Sequence, residues 1–283
     1  MESLAAPDLE LEYANPAMLH ELRQHLTSWT RDAAAYREAA GGRAELEVAY
    51  GERPRQRLDL FGPRSGARGA AGPVVLFVHG GYWQAMDKSL FSHLAGGANA
   101  HGVTVAVVGY TLCPQVTVAQ IVDELRQAVA FLARRFGRSI TVCGHSAGGH
   151  LTACMVATDW PAVDAGLAAD TVAAGLPISG LFELEPLLGT SLNERLGLDA
   201  AEARRLSPLL WPVRAGTEVV AYVGGSESAE YRRQTRTLAA RWREAGVTTT
   251  AVEAVGESHF TVIAPLADPQ SQLTQQLVRL AAS

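Results

Sequence analysis

Residues 74–78 read VVLFV and leave no polar side for a strand to show to solvent. Five residues are too few for an ordinary helix, and β-branched residues dominate, so the run reads as a strand covered on both faces. TVAVV at 104–108 and ITVC at 140–143 repeat the pattern. A sheet buried on both faces needs a helical layer on each side. Residues 117–137 supply one such helix, with Ile121, Leu125, Val129 and Leu132 on one face and Gly137 as its stop. Further strands are expected within 171–180, 217–225 and 247–256, with helices within 147–159, 228–246 and 271–283. The expected class is α/β, with a mostly parallel central sheet and helices on both faces.

The remaining segments decorate that core. Residues 17–40 read as one or two helices, making 1–44 a helical N-terminal segment, and strands are expected within 44–52 and 55–63. The Gly-rich stretch 64–72 reads as a surface loop. Residues 181–217 break the alternation and are expected to form a short helical cap insertion. Without an internal repeat, 1–283 is expected to be one domain.

Composition narrows the partners. A net charge of −5, with both signs mixed along the chain, offers no basic stripe for nucleic acid. No apolar run approaches a bilayer span, so no membrane partner is expected. Three cysteines without paired spacing, and an N-terminus without a basic and apolar leader, point to reduced thiols and a cytoplasmic protein. A small-molecule substrate is expected, with no cofactor and no metal; a homodimer is compatible with the sequence.

Four stretches at strand ends carry the chemistry. Gly144-His145-Ser146-Ala147-Gly148 sits between the strand ITVC and a helix, the context of a nucleophile elbow. A phosphate-binding loop is excluded because His150 stands where lysine is required. Among eight histidines only His259 lies beyond His150, in the loop after the last strand, where a base would follow. The acid should follow the strand VVAYV, which leaves Glu227 and Glu230. Glu227 is expected, since Glu230 already sits in the first turn of a charged helix. HGGYW at 79–83 can present backbone amides to an oxyanion, with Gly81, Tyr82 and Ala147 as the expected donors and His79 as a brace. Tyr82, Trp83 and Tyr110 are expected to bind substrate; Phe182 and Trp211 read as packing residues.

HGGYWQ, GHSAGGH, ESAEYRRQ and YTLCPQVTVAQIVDELRQAVAFL resemble the kynurenine formamidase (arylformamidase) branch of the α/β-hydrolase superfamily, over roughly residues 45–283. The resemblance implies the α/β-hydrolase fold, Ser146 as nucleophile, His259 as base, Glu227 as acid, and an oxyanion hole at Gly80 and Gly81. Animal members commonly carry aspartate at the acid position, from which Glu227 departs. The implied reaction converts N-formyl-L-kynurenine to L-kynurenine and formate, a step of tryptophan catabolism. A carboxylesterase for small acyl esters would use the same residues. The histidine-rich signature of metal-dependent formamidases does not occur.

Overall fold

A computed structural model describes residues 8–14, 16–63 and 72–283. The Gly-rich stretch expected as a loop lies, at 64–71, outside the described residues. The eight strands are β1 (Ala44–Ala49), β2 (Arg57–Phe61), β3 (Val74–Val78), β4 (Thr104–Val108), β5 (Ile140–His145), β6 (Val172–Ile178), β7 (Glu218–Gly224) and β8 (Thr248–Ala254). They form one sheet in the order β1-β2-β4-β3-β5-β6-β7-β8. From β4 to β8 every neighbour pair is parallel, while β1–β2 and β2–β4 are antiparallel.

The helices are α1 (Leu9–Ala14), α2 (Pro16–Ala40), α3 (Ala95–Ala100), α4 (Val118–Phe136), α5 (Ala147–Val156), α6 (Trp160–Val163), α7 (Asn193–Leu196), α8 (Ala200–Arg205), α9 (Ala229–Glu244) and α10 (Gln272–Ala282). Among the described residues no helix is long and apolar enough to cross a membrane. Alternation along β3 explains the two layers: Val74, Leu76 and Val78 join the core that includes Ile121 and Leu125 of α4. Val75 and Phe77 point to the opposite core, with Ala98 of α3 and Leu277 of α10. Thr117 and Gln120 form a reciprocal cap at the start of α4, and Gly137 ends it at φ +62°.

The cap insertion holds α7 and α8 between β6 and β7. At the N-terminus, Trp29 of α2 packs on Phe91 and Phe260, with ring centroids 5.3 and 6.2 Å away. Arg37 donates to the Ser89 carbonyl at 2.5 Å and to Ser92 Oγ at 2.8 Å. These contacts hold α2 beside the carboxyl ends of the parallel strands, where α/β sheets place their sites.

Candidate active site

Ser146 sits on the turn between β5 and α5 at φ +57° and ψ −120°. A non-glycine residue held there stores about 1–3 kcal/mol of strain, which persists only where the surroundings enforce it. Part of that enforcement is close packing at Gly148, where a Cβ would stand 2.0 Å from the Val78 carbonyl oxygen and 2.8 Å from that of His79. Both neighbours are backbone of the central strand and its loop, so nothing can yield cheaply. Gly148→Ala is therefore expected to destabilise the fold by about 3 kcal/mol, read as a lowered urea midpoint with unchanged slope.

His259 follows β8, and its Nδ1 lies 2.6 Å from Glu227 Oε2. Both side chains are buried. Nδ1–H is the donor, because a carboxylate can only accept. The second carboxylate oxygen of Glu227 accepts from Ser179 Oγ at 2.5 Å and from the Gly224 amide at 2.7 Å. Three donors thus fix the carboxylate, and Ser179 was not legible as one of them beforehand. It stands just beyond β6 at φ +50°, a left-handed backbone that turns its hydroxyl towards Glu227. His145, the residue before Ser146, lies with Nε2 2.7 Å from the His259 carbonyl and with ring centroids 4.6 Å apart. It braces the loop that carries His259.

The loop after β3 lies directly against the elbow: a Cβ on Gly80 would be 3.0 Å from Ser146 Cβ. Gly81 at φ +109°, Tyr82 at +49° and Trp83 at +57° form a run of left-handed residues. At Gly81 a side chain would also strike the Ala85 carbonyl, 2.3 Å from an ideal Cβ. Among the described residues, no acceptor takes the amides of Gly81, Tyr82 or Ala147. Ala147 directly follows Ser146, and Gly81 and Tyr82 line the same cavity as Ser146. His79 braces the loop, its Nδ1–H donating to the Gly80 carbonyl at 2.7 Å and its ring stacked 4.4 Å from Tyr110.

Ser146 and His259 line one cavity of about 340 Å³ together with Gly81 and Tyr82. That volume lies within the roughly 300–1,000 Å³ of small-molecule sites. Met18, Leu22, Met86 and Phe260 supply apolar wall, while Glu10, Ser191 and Arg195 supply polar groups. Glu10 accepts from the Ser191 amide at 2.8 Å and from its hydroxyl at 2.5 Å, which holds its carboxyl below the usual carboxylate range.

A kynurenine formamidase of Salmo salar is 30% identical over 253 residues, covering 86% of this chain and 84% of that protein. This chain belongs to the kynurenine formamidase family. The Drosophila melanogaster kynurenine formamidase is 31% identical over 81% of this chain and 79% of its own length. The BD-FAE family pattern matches residues 58–166, the span from β2 through the elbow to α6. Among solved structures, a putative thioesterase from Silicibacter sp. tm1040 superposes with a TM-score of 0.85 at 37% identity, covering 98% of this chain and 100% of that one. An esterase of Pyrobaculum calidifontis, 21% identical with a TM-score of 0.66 over 92% of this chain and 91% of its own, shares the fold. The chain is accordingly a hydrolase with the α/β-hydrolase fold.

In this family member the expected acid meets the base, and the alternative does not. Glu230 faces away from His259, binding Tyr13 Oη at 2.7 Å and Arg233 Nε at 2.8 Å. Two expected substrate contacts are corrected. Trp83 is fully buried and packs edge-on against His150 of α5, with centroids 5.0 Å apart. Tyr110 is equally buried, donating its hydroxyl to the His79 carbonyl at 2.9 Å. Neither lines the cavity, because these large rings gain more from full burial than from a solvated pocket. Phe182 is core, and Trp211 binds the Arg205 carbonyl at 2.7 Å through its indole N–H. Of the expected substrate contacts only Tyr82 faces the cavity. Further wall comes from α1, α2 and the insertion at 181–217, the segments whose place in the sequence allowed them to roof the pocket, and from Met86 and Phe260.

Proposed function

We propose that this hydrolase cleaves N-formyl-L-kynurenine to L-kynurenine and formate, with Ser146, His259 and Glu227 as its triad. The observation that carries the reading is the buried 2.6 Å His259–Glu227 pair beside Ser146 in one cavity, within a kynurenine formamidase family chain. Ser146 Oγ attacks the formyl carbon while His259 Nε2 takes its proton. Glu227 holds the tautomer with Nδ1–H and stabilises the imidazolium. The oxyanion is held by the amides of Gly81, Tyr82 and Ala147. His259 then protonates the arylamine as the C–N bond breaks. Water, deprotonated by His259, attacks the formyl-enzyme and releases formate and free Ser146.

Arg195, at the cavity edge in α7, favours the formamide over an uncharged ester. Its guanidinium is exposed and, among the described residues, no carboxylate lies within ion-pair distance. It can accept the carboxylate of an amino-acid substrate, and Glu10 stands in the same cavity for the ammonium group. The apolar wall, and the likeness to a putative thioesterase, support a second reading in which small esters or thioesters are cleaved by the same residues.

The test compares kcat/KM for N-formyl-L-kynurenine and p-nitrophenyl acetate. The formamide is expected to be preferred. Arg195→Gln should raise its KM about tenfold, equivalent to about 1.4 kcal/mol, while leaving the ester unaffected. Ester turnover without formamide turnover would establish the second reading instead.

A further inference from the structure

Tyr82 carries one of the amides assigned above to the oxyanion, and its side chain is tied down at the far end. Its hydroxyl lies 2.5 Å from the carbonyl oxygen of Tyr13 in α1 and 2.5 Å from the hydroxyl of Tyr231 in α9. A carbonyl can only accept, so Tyr82 O–H donates to Tyr13. Tyr231 O–H must then donate to Tyr82, which gives the chain a direction: Tyr231 to Tyr82 to Tyr13. Burial pushes the Tyr82 and Tyr231 phenols above their ordinary range, so both stay protonated and the chain stays intact.

Both ends are anchored. Tyr13 is fully buried, donates to Glu230 Oε2 at 2.7 Å and accepts from Gln234 Nε2 at 2.7 Å. The Glu230 amide donates back to Glu12 of α1 at 3.0 Å. The Tyr231 ring packs on the Tyr13 ring edge-on at 5.7 Å and on the His259 ring at 4.6 Å. α1 and the start of α9 therefore form one post, and the Tyr82 phenol is fastened to it.

The Tyr82 backbone at φ +49° is a conformation that a residue with a side chain keeps only when its surroundings over-determine it. We infer that the hydroxyl chain is what holds it, and that Tyr231 and the Tyr13 carbonyl are positioning groups for the Tyr82 amide at the oxyanion. The inference rests on the serine-hydrolase reading of the site and is independent of which acyl substrate it takes. It makes α1, which lies outside the sheet, part of what renders the loop competent.

The experiment uses Tyr231→Phe, Tyr82→Phe and the double variant in the full chain, each removing only hydroxyl oxygens. Two probes are read on the folded fraction given by circular dichroism. One is p-nitrophenyl acetate turnover. The other is affinity for phenylboronic acid, which adds to a nucleophilic serine and places an oxygen where the oxyanion forms. Tyr231→Phe is expected to lower kcat about tenfold, with KM within about twofold, and to weaken phenylboronic acid in parallel. The double variant should be no slower than Tyr82→Phe alone, because Tyr231 acts only through the Tyr82 hydroxyl. Additive losses, or a KM effect with kcat and boronate affinity unchanged, would overturn the inference. A wild-type chain inert to both ester and boronate would remove the serine-hydrolase reading, and this inference with it. Ester turnover without formamide turnover removes only the proposed substrate.

Discussion

Turnover is expected to fall about 10⁶-fold in Ser146→Ala and about 10⁴-fold in Glu227→Gln, both in kcat. The serine effect follows from removing the hydroxyl proposed above as the nucleophile. The glutamine effect follows from the fixed donors around Glu227. The Gly224 amide sits 2.7 Å from Oε1 and demands an acceptor there. A glutamine that keeps its carbonyl towards Gly224 must turn its NH₂ towards His259 Nδ1. That imidazole can then satisfy the contact only as the Nε2–H tautomer, which has no lone pair to take the Ser146 proton. The reverse rotamer points NH₂ at the Gly224 N–H and is excluded by the clash of donors. Glu230→Gln should instead leave kcat within a few-fold, because Glu230 binds Tyr13 and Arg233 rather than His259. Steady-state kinetics of the three variants decide it; a larger loss in Glu230→Gln than in Glu227→Gln would reverse the assignment.

Stability should drop steeply between pH 8 and pH 5, before the carboxylates titrate. His79 and His150 are wholly buried, and burial pushes each imidazole from 6.5 down to about 4; His145 is pushed down for the same reason. Geometry explains why the charged form is refused. His79 Nδ1–H donates to Gly80 and His150 Nε2–H donates to Leu206, while the other nitrogen of each ring meets no partner among the described residues. A second proton would be an N–H facing no acceptor. In the unfolded chain these rings protonate near 6.5, so between about pH 6.5 and 4 the unfolded state binds more protons. Stability is therefore complete above 6.5 and lost as pH falls. At pH 5 the loss is about 2 kcal/mol for each of His79 and His150, with His145 adding to it, against a usual total of about 5–15 kcal/mol. Urea midpoints at pH 8 and pH 5 measure it. His150→Gln, which keeps a donor for Leu206, should make the slope shallower by about one proton. A midpoint unmoved by acid would refute the account.

All eight strands were legible in the sequence: the central parallel ones because a strand buried on both faces has little choice of composition, β1 and β2 because their residues alternate between turn signals. The elbow was legible for the same kind of reason: Gly144 and Gly148 flank Ser146 where β5 and α5 touch, and no larger residue fits at Gly148. α3 was not legible. Its sequence AGGANA has low helix propensity, and it forms where Gly97 packs so tightly that a Cβ would lie 2.4 Å from the Leu266 carbonyl. Trp83 and Tyr110 were misplaced because a position next to the HGG loop, or just after β4, does not say which way a side chain turns. Three successive residues at positive φ settle that direction, and it sends Trp83 into the core while Tyr82 faces the cavity.

By itself the sequence determined the α/β class and the order of its strands. It also singled out Ser146, His259 and, ahead of Glu230, Glu227 as candidates, because each lies in the turn or loop that follows a strand. Only the tertiary structure decided that Ser179 would hold the Glu227 carboxylate and that Arg195 would stand at the cavity edge with, among the described residues, no carboxylate in ion-pair distance. It also decided that the Tyr13 carbonyl of α1 would take the Tyr82 hydroxyl. The Ser179–Glu227 and Tyr13–Tyr82 contacts join residues 48 and 69 positions apart. No local pattern encodes such a pairing, because it exists only once both chain segments have been buried against each other.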